Sequence, residues 1–260
     1  MRVETNQKLI KRNRQIAQGL FFFSFAVLIA GFIITNQPLF NPNAPLDPAL
    51  FYLLPTLVLP VGLISTLFSV RMTNLWVRSP RPEVVIREGL KGLSNKSALY
   101  NYYHFPARHV LICPQGVFAI VTRFQDGRFT HEGDKWKSHK SFAGRALSIM
   151  RADGIGNPTI DALAAADNLK KRMQAFAPDI EVQPLIVFVD PRAVLEVTNP
   201  LVPVLMPYEK AEPNLTTYLR SIKGEKKALS NAELVALVKA FDEATLPKDA
   251  QTRIKAGETA

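Results

Sequence analysis

The chain has 260 residues, a net charge of +10 and a single cysteine, Cys113. That length allows one or two domains with a real core, while one cysteine excludes an intrachain disulfide and the four scattered histidines give no Cys/His cluster at zinc spacing. From Arg71 onward there are 27 Lys/Arg against 20 Asp/Glu, a balance that suits an anionic partner, and suits equally a basic domain held beside an acidic membrane leaflet.

The first 16 residues are basic, with Arg2, Lys8, Lys11, Arg12 and Arg14 against Glu4. Between Arg14 and Asp47 no residue is charged, and Gly19 to Thr35 is apolar nearly throughout. A second uncharged stretch runs from Pro48 to Val70. Each is close to the roughly 20 residues a helix needs to cross about 30 Å of hydrocarbon. Neither has a polar face, as a buried helix of a water-soluble protein at its surface would, and Pro55 and Pro60 are tolerated inside a membrane helix. The expected spans are 17–35 and 49–70. Their connector, Asn36 to Asp47, carries no Lys or Arg, whereas Arg71, Arg78, Arg81, Arg87 and Lys91 follow the second span. The positive-inside rule then predicts a transmembrane hairpin with both termini in the cytoplasm and Trp76 as an interfacial anchor. The expected location is the cell membrane, multi-pass, with the lipid bilayer as first partner.

Residues 71–82 read as a linker, because Ser79-Pro80-Arg81-Pro82 stops a helix. From 83 to 246 the pattern becomes mixed α/β. Strands are expected at Leu99–Phe105, His109–Cys113 and Gly116–Thr122, with Cys113-Pro114-Gln115-Gly116 as a tight turn. Gln125-Asp126-Gly127 and Glu132-Gly133-Asp134 mark further turns of a meander ending near Trp136. Asn157-Pro158 starts a helix, Asn as cap and Pro at the first helical position. Ile160, Leu163, Ala166, Leu169, Met173 and Phe176 recur at helical spacing. Pro184 to Val189 reads as a buried strand and Val202 to Met206 as another. Helices follow at about Asn214–Ile222 and, opened by a capping box of Ser230 and Glu233, up to about Ala244. The tail 247–260 is polar and is expected to be flexible. Cys113, in an apolar strand, reads as a small buried hydrophobe.

The run Pro106-Ala107-Arg108-His109-Val110-Leu111-Ile112, the turn, Gly116 to Arg123, then Gly127, Trp136, Asn157-Pro158 and Leu185 to Val189, resembles the nuclease-related domain (NERD) family. The resemblance covers roughly residues 83 to 190. It implies an αβββαβ, restriction-endonuclease-like α/β core on the cytoplasmic side of the hairpin, and metal-dependent phosphodiester cleavage. Active members of that family carry an Asp just before the His of the second strand and a Glu-x-Lys at the end of the third. Two carboxylates hold a divalent cation that activates water, and the lysine stabilises developing charge.

Here those positions are Arg108, Val121 and Arg123, so no catalytic residue is assigned and no cofactor is expected. At an effective dielectric near 20, a guanidinium and a dication roughly 5 Å apart repel by about 6–7 kcal/mol. The expectation is a nuclease-like domain without family-type cleavage, a pseudoenzyme acting as a binding or interaction module. Two alternatives stand beside it. One is an active divergent nuclease using Mg, with carboxylates relocated to Asp126, Glu132 or Asp134; the other is a protein-interaction scaffold without nucleic-acid affinity. Arg108 and Arg123, with Lys135, Lys137, Lys140 and Arg145, are the phosphate-binding candidates; solvated or carboxylate-paired cations are the plainer account of them. Asp161 in the first turn of its helix suits the helix dipole, and Lys170-Lys171-Arg172 suits a solvated helix face. Tyr100, Tyr102 and Tyr103 suit either base stacking or packing.

Overall fold

The computed structural model describes residues 1–40, 53–132, 135–140, 144, 154–222 and 228–257. Two compact units divide the chain. One comprises residues 1–7, 80–141 and 155–260; the other comprises 8–79 and 142–154.

The second unit is built on helices α1 (Gln7–Thr35) and α3 (Leu54–Trp76), with a short α2 (Gln37–Phe40) between them in sequence. Both long helices are long and apolar enough to cross a membrane. Their large side chains face outward: Phe22, Phe32, Leu57, Leu63 and Phe68 are all exposed. Where the helices meet, the side chains are small. Ala17, Ser24, Ser65 and Ser69 are buried, and a Cβ on Gly31 would fall 2.8 Å from Val58 Cγ1. Small residues that let backbones approach closely are the usual means by which apolar helices pack in lipid. Arg14 Nε donates to the Trp76 carbonyl at 3.0 Å. The first helix therefore begins ten residues before the expected 17. The second starts at Leu54 and continues past 70 to Trp76, inside the stretch expected as linker. Positions 41–52, with most of the expected connector and the start of the expected second span, lie outside the described residues.

The first unit is a mixed sheet with helices on both faces. In chain order it contains β1 (Arg2–Thr5), α4 (Pro82–Gly89), β2 (Ala98–His104), β3 (Ala107–Cys113), β4 (Gly116–Arg123), β5 (Gly127–Glu132), β6 (Lys135–Ser138), α5 (Pro158–Met173) and β7 (Val182–Phe188). Then come β8 (Ala193–Val197), β9 (Val204–Leu205), α6 (Leu215–Ser221), α7 (Asn231–Thr245) and α8 (Lys248–Lys255). The six-stranded sheet has the order β1-β2-β3-β4-β7-β9, and a three-stranded sheet has the order β6-β5-β8. The antiparallel β2-β3-β4 meander is joined by β7, parallel to β4 in the register Ile120↔Leu185. A crossover through α5 supplies that parallel neighbour.

Alternation along the strands sends side chains to two apolar layers. Val110, Ile112, Val117 and Ala119 face α5 and α7; Leu111, Phe118, Ile120, Leu185 and Val187 face α4 and α6. Cys113 is buried in the second layer. Two expectations are corrected. Residues 2–5, expected within a basic N-terminal arm, form a strand parallel to β2. The expected flexible tail contains α8, whose Ala250 is buried with Ile254 packed beside it; positions 258–260 lie outside the described residues. On α5 the buried face is Ala162, Ala165, Ala166, Leu169 and Met173, whereas Ile160 and Leu163 are 62% and 40% exposed.

Candidate functional site

The N-terminus of α5 is fixed by its sequence. Asn157 accepts from the backbone N–H groups of Thr159 and Ile160, at 3.1 and 3.2 Å, and Pro158 supplies the first helical φ. Trp136 of β6 donates its indole N–H to Thr159 Oγ1 at 3.0 Å, pinning the small sheet to this helix end.

Arg108 stands near the start of β3, and Val121 and Arg123 stand at the end of β4. The His109↔Ile120 register places position 108 opposite 121, and period-two alternation puts Arg108, Val121 and Arg123 on the α5 face of the sheet. The three positions thus do come together at one end of β3–β4, beneath the start of α5. Arg123 is largely buried there and forms an ion pair with Asp161 from the first turn of α5. Burial pulls the guanidinium pKa down, and only Asp161 opposes that pull. Val121 packs against the apolar side chains beneath it. Arg108 is half-buried and lies close enough to Tyr102 and His109 to act on both electrostatically.

Behind this corner lies a buried polar chain. His109 Nδ1 and Asn101 Oδ1 are 2.8 Å apart, and Asn101 Nδ2 donates to Thr5 Oγ1 at 3.0 Å. Burial first, and Arg108 second, push His109 down to about 3, so the imidazole is neutral and serves as packing. Tyr102 donates to Glu83 of α4 at 2.9 Å; Tyr100 and Tyr102 are buried and Tyr103 packs against the core. Tyr100 and Tyr102 are thus taken up in the core, and Tyr103 in part.

Two of the other expected cations have carboxylates of their own. Lys137 pairs with Glu132 at 3.3 Å and Lys140 with Asp126 at 3.9 Å. Lys135 and Lys137 share the outer face of β6, and the same small sheet carries the Arg128–Glu196 pair at 2.7 Å. That surface is a mixture of charges, not a basic stripe. Lys171 pairs with Asp167 at 2.7 Å, and Arg172 donates to the Phe105 carbonyl at 2.9 Å. Arg145 lies outside the described residues.

The donor chemistry at the corner is wrong for a divalent cation. Hard cations take oxygen ligands, and the three positions offer two guanidinium groups and an isopropyl group; the carboxylate beside them, Asp161, is held by Arg123. Magnesium does not fit. The relocated carboxylates fare similarly: Asp126 pairs with Lys140 and Arg192, Glu132 pairs with Lys137, and Asp134 lies outside the described residues. Among the described residues no group of three His, Cys, Asp or Glu side chains is arranged to hold a metal ion.

Sequence reasoning missed a cluster just past the carboxyl ends of the parallel strands β4 and β7. Asp190, buried, accepts from Arg192 Nε and Nη2 at 3.0 and 2.8 Å, and Asp126 forms an ion pair with the same guanidinium at 3.1 Å. Its hydrogen bonds to Asp190 hold the Arg192 pKa above its ordinary value. An acid following an apolar run such as Leu185–Val189 was the available signal, since ligands of open α/β sheets gather at that end of the strands.

Residues 83–189 match the nuclease-related domain family. No curated protein matches the chain, and no solved structure does.

Proposed function

We propose that the nuclease-related domain of this chain is a membrane-tethered binding module that does not cleave nucleic acid. The observation that carries the reading is the filling of the family's metal corner: Val121 packs into it, and Arg123 is buried there against Asp161. A guanidinium salt-bridged in that place blocks the cation that hydrolysis by this fold requires.

The tether is a helical hairpin. Both ends of the segment 8–79 continue into the same sheet-bearing unit, since residues 2–5 pair with 98–101. A segment that leaves one folded body and returns to it crosses a bilayer an even number of times, and two helices are long and apolar enough to cross. Contacts of Arg14 with Trp76 and of Gly31 with Val58 support the antiparallel arrangement. The basic residues on both flanks put the domain in the cytoplasm.

Nucleic acid is the first ligand to test, on the domain's basic balance and its likeness to nucleases. The scaffold reading, with protein as partner, draws on a specific observation: Arg123, Lys137 and Lys140 all face carboxylates. One experiment separates the three. Full-length protein in lipid nanodiscs is incubated with labelled single- and double-stranded DNA and RNA, with and without Mg²⁺ or Mn²⁺, across a salt series. The expected outcome is intact substrate and binding that weakens steeply with salt, as phosphate contacts require. Metal-dependent cleavage would overturn the non-cleaving reading. Absence of binding at low salt would leave the protein scaffold.

A further inference from the structure

The membrane hairpin does not simply precede the α/β domain; it interrupts it. Strand β1 lies at the edge of the main sheet, parallel to β2 in the register Arg2↔Ala98 to Thr5↔Asn101. Arg2 N donates to the Ser97 carbonyl at 2.8 Å and Asn6 N to the Asn101 carbonyl at 3.1 Å. Only Asn6 separates this strand from α1.

Arg2 and Glu4 point to the face covered by α7 and α8, and what they meet there is polar. Arg2 Nη2 reaches both oxygens of Asp242 in α7, at 2.6 and 2.7 Å, and the Tyr100 hydroxyl at 2.8 Å. Tyr100 in turn donates to Asp242 Oδ1 at 2.7 Å. These contacts tie the start of the chain to a helix 240 positions later. Glu4 is the discordant member. It is fully buried, neither carboxylate oxygen has a hydrogen-bond partner among the described residues, and it pairs with Arg2 Nε at 3.6 Å. Asp242 lies on the same cluster, so one guanidinium serves two carboxylates, with Arg253 of α8 acting from farther away. A buried carboxylate without hydrogen bonds is costly. Each such group calls for an explanation.

We infer that β1 is a releasable latch: the Arg2–Asp242–Tyr100 cluster seats it on the β2 edge, and the buried Glu4 carboxylate keeps the seating weak enough to open. The seat is short, four residues; Arg2 is its charged anchor, Thr5 Oγ1 accepts from Asn101 at 3.0 Å, and Met1 and Val3 pack at the rim of the opposite layer. Burial raises the Glu4 pKa, with Arg2 and Arg253 opposing and Asp242 adding, as expected for a charge the seat does not welcome. Opening frees the backbone edge of β2, to which residues 2–5 are paired.

Hydrogen exchange on the full chain in nanodiscs reads the latch directly, in peptides covering residues 1–6 and 97–101. Arg2→Ala and Asp242→Asn each raise exchange in both peptides, by about tenfold or more, because each breaks a buried charged pair, while peptides from β4 and β7 stay unchanged. Glu4→Gln does the opposite: exchange in the same peptides slows by roughly threefold or more, since a neutral amide removes the stranded charge. Exchange that Arg2→Ala leaves at the wild-type rate, or that Glu4→Gln accelerates, would overturn the inference; so would a Glu4→Gln protein that fails to fold, since the change is close to isosteric.

Discussion

A single residue at the corner of the sheet, Arg123, carries much of the functional reading. Its guanidinium is mostly buried, while the Asp161 side chain that pairs with it is 59% exposed. Such a pair gives back little of what burying the cation costs, and replacing the buried member by an apolar residue of similar length is often neutral or stabilising. Arg123→Met is therefore expected to change the unfolding free energy by less than about 1 kcal/mol, while Asp161→Ala, which leaves the guanidinium buried alone, costs about 2 kcal/mol or more. Urea unfolding of the two variants checks the asymmetry; equal losses would mean the pair is a net stabiliser. The histidines behave differently. Burial, with Arg172 adding, pushes His104 down to about 4 from its ordinary 6.5, so the folded domain holds it neutral where an unfolded chain would protonate it. Its contribution is fully present above pH 6.5 and is lost as pH falls from there toward 4. Stability should fall through that window, and His104→Gln, which cannot take the proton, should flatten the fall; a variant with an unchanged pH profile would remove His104 from the account.

Gly89, at the end of α4, shows how tightly the elements are set. A Cβ there would fall 2.3 Å from the Pro207 carbonyl oxygen, and Thr216 of the α6 region donates its hydroxyl to the Gly89 carbonyl. Two backbones meet with no room for a methyl group and no flexible side chain to move aside. Gly89→Ala is expected to destabilise the domain by about 2 kcal/mol or more, in the range of overpacked cores, whereas Gly19→Ala, whose Cβ position meets nothing within 4 Å among the described residues beyond its own helix and chain neighbours, stays within about 0.5 kcal/mol. Thermal unfolding of the pair decides it. The elements that were legible in the sequence are those whose signal is local. Asn157-Pro158 and the Ser230–Glu233 box write helix starts directly into adjacent residues, and both caps form. The β2-β3-β4 meander is announced by apolar runs and a turn. What was not legible depends on distant partners. Arg2–Thr5 is too short and too polar to announce a strand; only the β2 edge makes it one. On α5, Ile160 and Leu163 dominate the hydrophobic pattern, yet the helix lies against the sheet on its alanines, because small side chains allow closer approach than branched ones. The corner itself was legible position by position, through Arg108, Val121 and Arg123, but not the closure of Arg123 by Asp161, which a helix-dipole account of that acid does not require.

At the scale of the whole chain, the distribution of charge and the continuity of the sheet constrain the same property. Lys8, Lys11, Arg12 and Arg14 precede the first apolar stretch, and Arg71, Arg78, Arg81, Arg87 and Lys91 follow the second, while the residues between the stretches include no Lys or Arg. Moving either basic flank across a bilayer would oppose the bias that sets membrane orientation. The pairing of 2–5 with 98–101 imposes a further condition, that both flanks stay with one folded body. A topology with an odd number of crossings would have to unpair β1 and strand the Asp242 carboxylate that Arg2 now holds at 2.6 Å. Single cysteines test this without disturbing the sheet. Cys113 is buried and is replaced by Ser; Gln37→Cys and Ser79→Cys are then labelled in intact cells with a membrane-impermeant maleimide. Position 37 should react from outside, and position 79 only after permeabilisation. Labelling of 79 alone from outside would invert the hairpin and put the domain on the other face; equal labelling of both, from outside or only after permeabilisation, would mean the second helix does not cross.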